Sequence, residues 1–315
     1  MVSAAIGNTI LNDLLRTVWP TATRLIGGLL IGMTLSGAGT ALAAGPDASA
    51  AALHARYAAL GERLDNNPFR RALTLDSSES DNEVKGDIHA RIDYPFSTVR
   101  TALNDPAHWC DVLILHINTK HCRATADADG TMLAVSIGKK TPQPIEDAYP
   151  IAFSYRVVAA TSKYLEIELH APEGPLSTRD YQIQLQAVPV ENGRTFLRLT
   201  YSYDYGTAGR IAMKTYLATL GSGKVGFTRT GRRPGGAPEH IGGMRGVVER
   251  NAMRYYLAID AYLATYGTPS AQQLQQRLNT WFSATEQYPR QLRELDRTAY
   301  IDMKRSEYQR QQTVQ

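Results

Sequence analysis

One stretch constrains this chain more than any other. Residues 246–266, GVVERNAMRYYLAIDAYLATY, hold no proline and no glycine after the first position. At ~1.5 Å rise per residue they predict a helix of roughly 30 Å, about the width of a small domain. Met244, Val248, Ala252, Tyr255, Ile259, Tyr262 and Tyr266 recur at three- and four-residue steps and so share one stripe. Glu249, Arg250, Arg254 and Asp260 fall mostly away from it. A stripe this wide has to lie against another layer, and its three tyrosines bring hydroxyls as well as apolar rings.

The chain before it supplies that layer. Ile88, Ala90 and Ile92 alternate with His89, Arg91 and Asp93, as a half-buried strand should. Pro95 opens a short helix carrying Phe96, Val99 and Leu103, and Asn104-Asp105-Pro106 ends it. Leu113, Leu115 and Ile117 read as a second strand, which puts His116 on its outward phase. Leu133, Val135 and Ile137 follow the Asp129-Gly130 turn signal as a third. Ile151 to Val157, Leu165 to Leu169, Tyr181 to Ala187 and Leu197 to Tyr205 give four more, with Asn192-Gly193 between the last two. Each is polar on one face only, which predicts an antiparallel sheet covered on one side. Residues 76–83, DSSESDNE, read as a loop.

The ends are different. Arg16 and Arg24 precede an apolar run over 25–35, and Ala41-Leu42-Ala43 gives a small-x-small cleavage pattern. Residues 1–43 therefore read as a signal peptide, with an uncleaved anchor as the alternative, and the predicted location is periplasmic or secreted. Residues 45–80 form a helical arm and loop, 81–267 the main domain, and 268–315 a helical tail. Within the domain, 221–246 is an insert with nine glycines, too many for a helix. Its Lys224, Arg229, Arg232 and Arg233 suit transient contact with anionic headgroups.

Cys110 and Cys122 are the only cysteines. In an exported chain an even pair at short spacing reads as a disulfide. A metal site drawing on His108, His116 and His121 is the alternative, although the spacing fits no standard zinc pattern. The formal charge of +4 is too diffuse to point to nucleic acid. No Walker loop, nucleophile elbow, zincin motif or dinucleotide fingerprint is present, so no cofactor is implied.

The order of elements resembles the helix-grip fold of the START lipid-transfer superfamily and its polyketide-cyclase-like relatives. Leu176-Ser177-Thr178-Arg179-Asp180-Tyr181 resembles the Arg-Asp-aromatic signature of START domains. The resemblance covers about residues 83–267; the glycine-rich insert and the tail have no counterpart in it. It implies an α+β fold, a curved antiparallel seven-stranded sheet around a long C-terminal helix, with extra terminal helices. It also implies one hydrophobic molecule held between helix and sheet. Some relatives are enzymes, so the fold alone does not decide activity.

The chain has 17 tyrosines against 6 phenylalanines. A core packed only for stability does not need phenols, each of which requires a hydrogen-bond partner when buried. The candidate ligand-facing set is Trp109, Tyr155, Arg179, Tyr181, Tyr201, Tyr203, Met244, Tyr255 and Ile259. Arg179 is in phase with Tyr181 and Ile183, so it is expected on the inner face beside a carboxylate or an anionic ligand group. The resulting expectation is a carrier or binder of a lipid or polycyclic molecule. A cyclase- or hydrolase-like enzyme and a filled-core interaction protein are the alternatives.

Overall fold

The computed structural model describes residues 45–128, 130–218 and 223–313. The signal-peptide reading of 1–43 lies outside them. Among the described residues no helix is long and apolar enough to cross a membrane.

Helix α1 (Pro46–Leu60) leads through a 3-10 turn into the hairpin β1 (Leu73–Glu79) and β2 (Glu83–Ile92). Two short helices follow, α2 (Phe96–Leu103) and α3 (Pro106–Leu113). Then come β3 (Thr119–Asp127), β4 (Gly130–Ile137), β5 (Tyr149–Ala160), β6 (Leu165–Glu173), β7 (Thr178–Val190) and β8 (Arg194–Tyr205). Beyond them lie α4 (Thr207–Ala218), a small ribbon of β9 (Arg229–Arg232) and β10 (Pro238–His240), and the long helix α5 (Gly243–Leu263). The tail is α6 (Ser270–Thr285), α7 (Pro289–Leu292) and α8 (Arg297–Thr313).

The main sheet has eight strands in the order β1-β2-β8-β7-β6-β5-β4-β3, every pair antiparallel. Alternation does what it should: in β5 Ile151, Phe153 and Tyr155 are buried while Ala152, Ser154 and Arg156 are exposed. Bulges interrupt β3, β5 and β7, and bulges bend the strands that carry them. Helix α5 packs on β1, β2 and β8. It comes so close to β2 that a Cβ on Gly86 would sit 3.4 Å from both Ala252 Cβ and the Val248 carbonyl oxygen. This is the helix-grip arrangement.

Four expectations change. The sheet has eight strands, not seven. Residues 76–79 belong to edge strand β1, whose outer half is mostly exposed and so carries no apolar alternation. The strand expected at Leu113–Ile117 is instead the end of α3 and a turn. Asp105 does not only close α2; its carboxylate accepts from the Ala107 N–H at 2.8 Å and caps the next helix. Finally, Glu249, Arg250 and Arg254 are buried along with the apolar stripe of α5. The insert and the tail cover the helix's back: the Glu249 carboxylate accepts from the Phe227 and Thr228 N–H groups, and Trp281 Nε1–H donates to the Arg254 carbonyl at 3.2 Å.

Outside the sheet, α1 packs Leu53 and Leu60 with Leu64, Tyr164, Val188 and Phe196 in a second, smaller core. Cys110 on α3 and Cys122 on β3 are joined, with Cα atoms 5.1 Å apart. The bond ties the second short helix to the edge strand.

Candidate functional site

A cavity of about 140 Å³ lies between the sheet and α5. Leu113, Val135, Ile137, Ile151 and Phe153 form its apolar wall. Tyr181, Tyr201, Tyr255, His116, Asn118 and Asn251 bring polar atoms to it. The tyrosines are placed by strand phase and helix stripe together: Ile183 of β7 pairs with Tyr201 of β8, and Tyr255 comes from the facing turn of α5. Tyr201 and Tyr255 have ring centroids 5.3 Å apart, and Tyr203 stacks on Tyr181 at 5.1 Å. Burial and the neighbouring phenols push the Tyr201 hydroxyl well above its ordinary range, and burial does the same for Tyr181 and Tyr255.

The hydroxyls are not alike. Tyr181 O–H donates to Thr178 Oγ1 at 2.7 Å, since the Thr178 hydroxyl itself donates to the Pro175 carbonyl. Tyr203 O–H is buried with no hydrogen-bond partner. His116 stacks on Tyr255 with centroids 4.7 Å apart. Its Nδ1 accepts the Asn118 backbone N–H at 3.2 Å, while its Nε2 is buried without a partner. Burial first, then the charges of Arg254 and Lys304, push the imidazole well below its usual pKa. It is therefore neutral near pH 7, and with Nδ1 accepting, the proton sits on Nε2. The site thus holds a buried donor that makes no close hydrogen bond and has the Asn251 side chain beside it.

Chemically this wall binds better than it catalyses. Phenols whose ionisation is pushed upward are poor bases, and an imidazole held neutral far below pH 7 is a weak one. Among the described residues no group of three or more His, Cys, Asp or Glu could hold a metal ion.

Of the sequence-derived candidates, Tyr181, Tyr201 and Tyr255 line the cavity, and Tyr203 backs Tyr181. Trp109 and Tyr155 are buried elsewhere, both donating to the Leu103 carbonyl, at 2.8 and 3.3 Å, where α2 ends. Met244 and Ile259 are ordinary core residues of α5. Arg179 is corrected in its placement: its side chain is 56% exposed rather than inward, although the expected carboxylate is there, Asp180 at 3.9 Å. The bulge between Arg179 and Gln182, with Asp180 at φ 49°, shifts the phase of the strand there. His116 is corrected in the other direction, because it sits in the turn after α3 rather than on a strand. Asn251 gave no sequence signal beyond its place one turn before Tyr255.

No protein-family model and no curated protein matches this chain. Solved structures do. An aromatase/cyclase, Zhui, from Streptomyces sp. R1128 is 10% identical, with 59% of this chain and 97% of that one covered and a TM-score of 0.36. Norcoclaurine synthase from Thalictrum flavum is 12% identical, over 47% and 82%, at 0.31. The human StarD13 lipid transfer and protein localization domain is 11% identical, over 53% and 90%, at 0.28. At such scores the likeness carries no argument, and none of their activities carries over.

Proposed function

We propose that this chain binds one small, mainly apolar molecule bearing a hydrogen-bond acceptor, and does so outside the cytoplasm. The observation that carries the reading is the unpartnered His116 Nε2–H in a tyrosine-lined cavity. A buried donor without an acceptor costs about 1–3 kcal/mol, which a ligand carbonyl or ether would return. Volume narrows the class. Drug-sized ligands need roughly 300–1,000 Å³, whereas a cavity near 150 Å³ takes one benzene-sized group. A cavity of about 140 Å³ therefore favours a single ring or a short acyl segment over a polycycle.

Calorimetry with acetophenone and ethylbenzene tests this. The ketone should bind about tenfold tighter than the hydrocarbon, and His116→Phe should erase that preference. Binding of neither compound, or an unchanged preference in the variant, would end the reading. Native mass spectrometry of protein from its own host, followed by solvent extraction, would identify the natural occupant.

The extracytoplasmic part is supported by the leader-like 1–43 segment and by the joined cysteines. N-terminal sequencing and thiol labelling of protein from its host test it. An intact leader together with two free thiols would count against it. Arg229, Arg232 and Arg233 stand exposed on the β9–β10 ribbon and suit headgroup contact, which vesicle flotation would reveal. Lys224 stands apart from that patch, because its Nζ lies 3.7 Å from Glu294 and donates to the Arg293 carbonyl.

A further inference from the structure

Beside the cavity, cations outnumber anions. Lys140 Nζ from the loop after β4 lies 2.7 Å from Glu294 Oε1, and Arg254 Nη2 from α5 lies 2.8 Å from the same oxygen. Lys224 Nζ from the insert lies 3.7 Å from Oε2. Three positive groups from three separate parts of the chain face one carboxylate, itself on the α7–α8 connection. Arg250, one turn earlier on α5 and with contacts of its own, adds positive potential felt by both lysines.

Two further facts make this more than a surface ion pair. Arg254 is 3% exposed, yet its Nε has no hydrogen-bond partner. Its Nη1 donates at 3.3 Å to the side-chain Oδ1 of Asn251, and Asn251 lines the cavity. The lysines, by contrast, stay open to solvent, 22% and 24% exposed. A solute can thus reach a site with excess positive charge, with a fork donor at its base, next to an apolar pocket. Guanidinium and ammonium groups converging in this way match phosphate oxygens.

We propose that Lys140, Lys224 and Arg254 form a phosphate-binding site, with the Glu294 carboxylate as its resident stand-in. The phosphate is either free or the head of an amphiphile whose apolar end enters the cavity. Only the second source rests on the binding function proposed above.

Calorimetry with inorganic phosphate and with phenyl phosphate separates the cases. Both should bind, and Lys140→Gln and Lys224→Gln should each weaken both by about tenfold. Phenyl phosphate binding at least tenfold tighter than phosphate would assign the headgroup source; equal binding would assign free phosphate, and the site would stand in either case. If neither compound binds, or if both lysine variants bind like the parent, the site is refuted. Should acetophenone bind while both phosphates fail, this proposal falls and the cavity reading survives.

Glu294→Gln supplies an independent readout. Its melting temperature should drop in sodium chloride and recover in phosphate at matched ionic strength, since a ligand of the folded state stabilises it by mass action. A drop that phosphate does not restore would show a purely structural ion network and overturn the assignment.

Discussion

Two charge clusters, one buried and one partly open, hold more cations than carboxylates. At the edge strand, Lys120 Nζ and Lys304 Nζ share Glu307, at 2.9 and 2.8 Å. At the insert, Lys140, Lys224 and Arg254 share Glu294. The edge cluster is dry, with both lysines 0% exposed. Each lysine there also donates to a carbonyl, Lys120 to Thr141 at 3.2 Å and Lys304 to Thr119 at 2.6 Å. The insert cluster is wet and leaves Arg254 Nε without a partner. The contrast teaches that one charge imbalance can be relieved in two ways. Where water is shut out, a lysine gives up its proton readily: Lys304 is lowered to about 8, by burial first and then by repulsion from Lys120, against the pull of Glu307. At the insert cluster, where both lysines reach solvent, the excess of cations can attract an anion.

Removing the shared carboxylate should separate the two clusters most clearly. Glu307→Ala strands two buried lysines and should cost about 3–5 kcal/mol in urea denaturation, loosening α8 from β3. Glu294→Ala should cost less, about 1–3 kcal/mol, because both lysines there can turn to water and only Arg254 is left buried without its carboxylate. Equal losses would show that the two clusters are the same kind of structure.

Lys304 binds its proton less well in the folded state than in the unfolded chain, so between about pH 8 and pH 10 the unfolded chain holds more protons. Stability should therefore rise with pH across that window, by at most about 1.4 kcal/mol per unit for one proton. The lowered values of Lys120, Lys140 and Lys224 act in the same direction. Above pH 10 the trend reverses. Buried Tyr181, Tyr201, Tyr203 and Tyr255 keep their protons in the folded state, while unfolded phenols release them. Melting curves at half-unit steps, repeated on Lys304→Met, should show the rise flattened in the variant. A parent protein whose stability falls from pH 8 upward would refute the assignment.

Both clusters were hidden in the sequence, and for one reason. Alternation reports which face of a strand is buried only when its cover is apolar. Strands β4 to β8 obey that rule, and their inward residues were legible. Strand β3 does not: Lys120 is buried under α8 through an ion pair, so the segment carries no hydrophobic period and a neighbouring helix end was read in its place. Glu249, Arg250 and Arg254 looked like a solvent face because their cover comes from the distant insert and tail. The site was legible where regular phase held, at Tyr181, Tyr201 and Tyr255. It failed at Arg179, where a bulge resets the phase, and at His116, which belongs to a turn.

The smallest expected effect brings the contrast between satisfied and open polar groups down to a single atom. Tyr181 and Tyr203 are stacked neighbours, one with a hydroxyl in a chain of hydrogen bonds, the other with a buried hydroxyl that has no partner. Tyr181→Phe removes a donor from Thr178 and should destabilise by about 1 kcal/mol. Tyr203→Phe removes an oxygen already desolvated and unpaired, so it should be neutral or stabilising by up to about 1 kcal/mol. Because the rings stack, the double variant tests whether the two effects are independent; a coupling beyond about 0.5 kcal/mol would mean they are not. Loss of stability in Tyr203→Phe would mean that the hydroxyl has found an acceptor in solution. The nearest place to look for it is an occupant of the adjoining cavity, whose extraction should then abolish the loss.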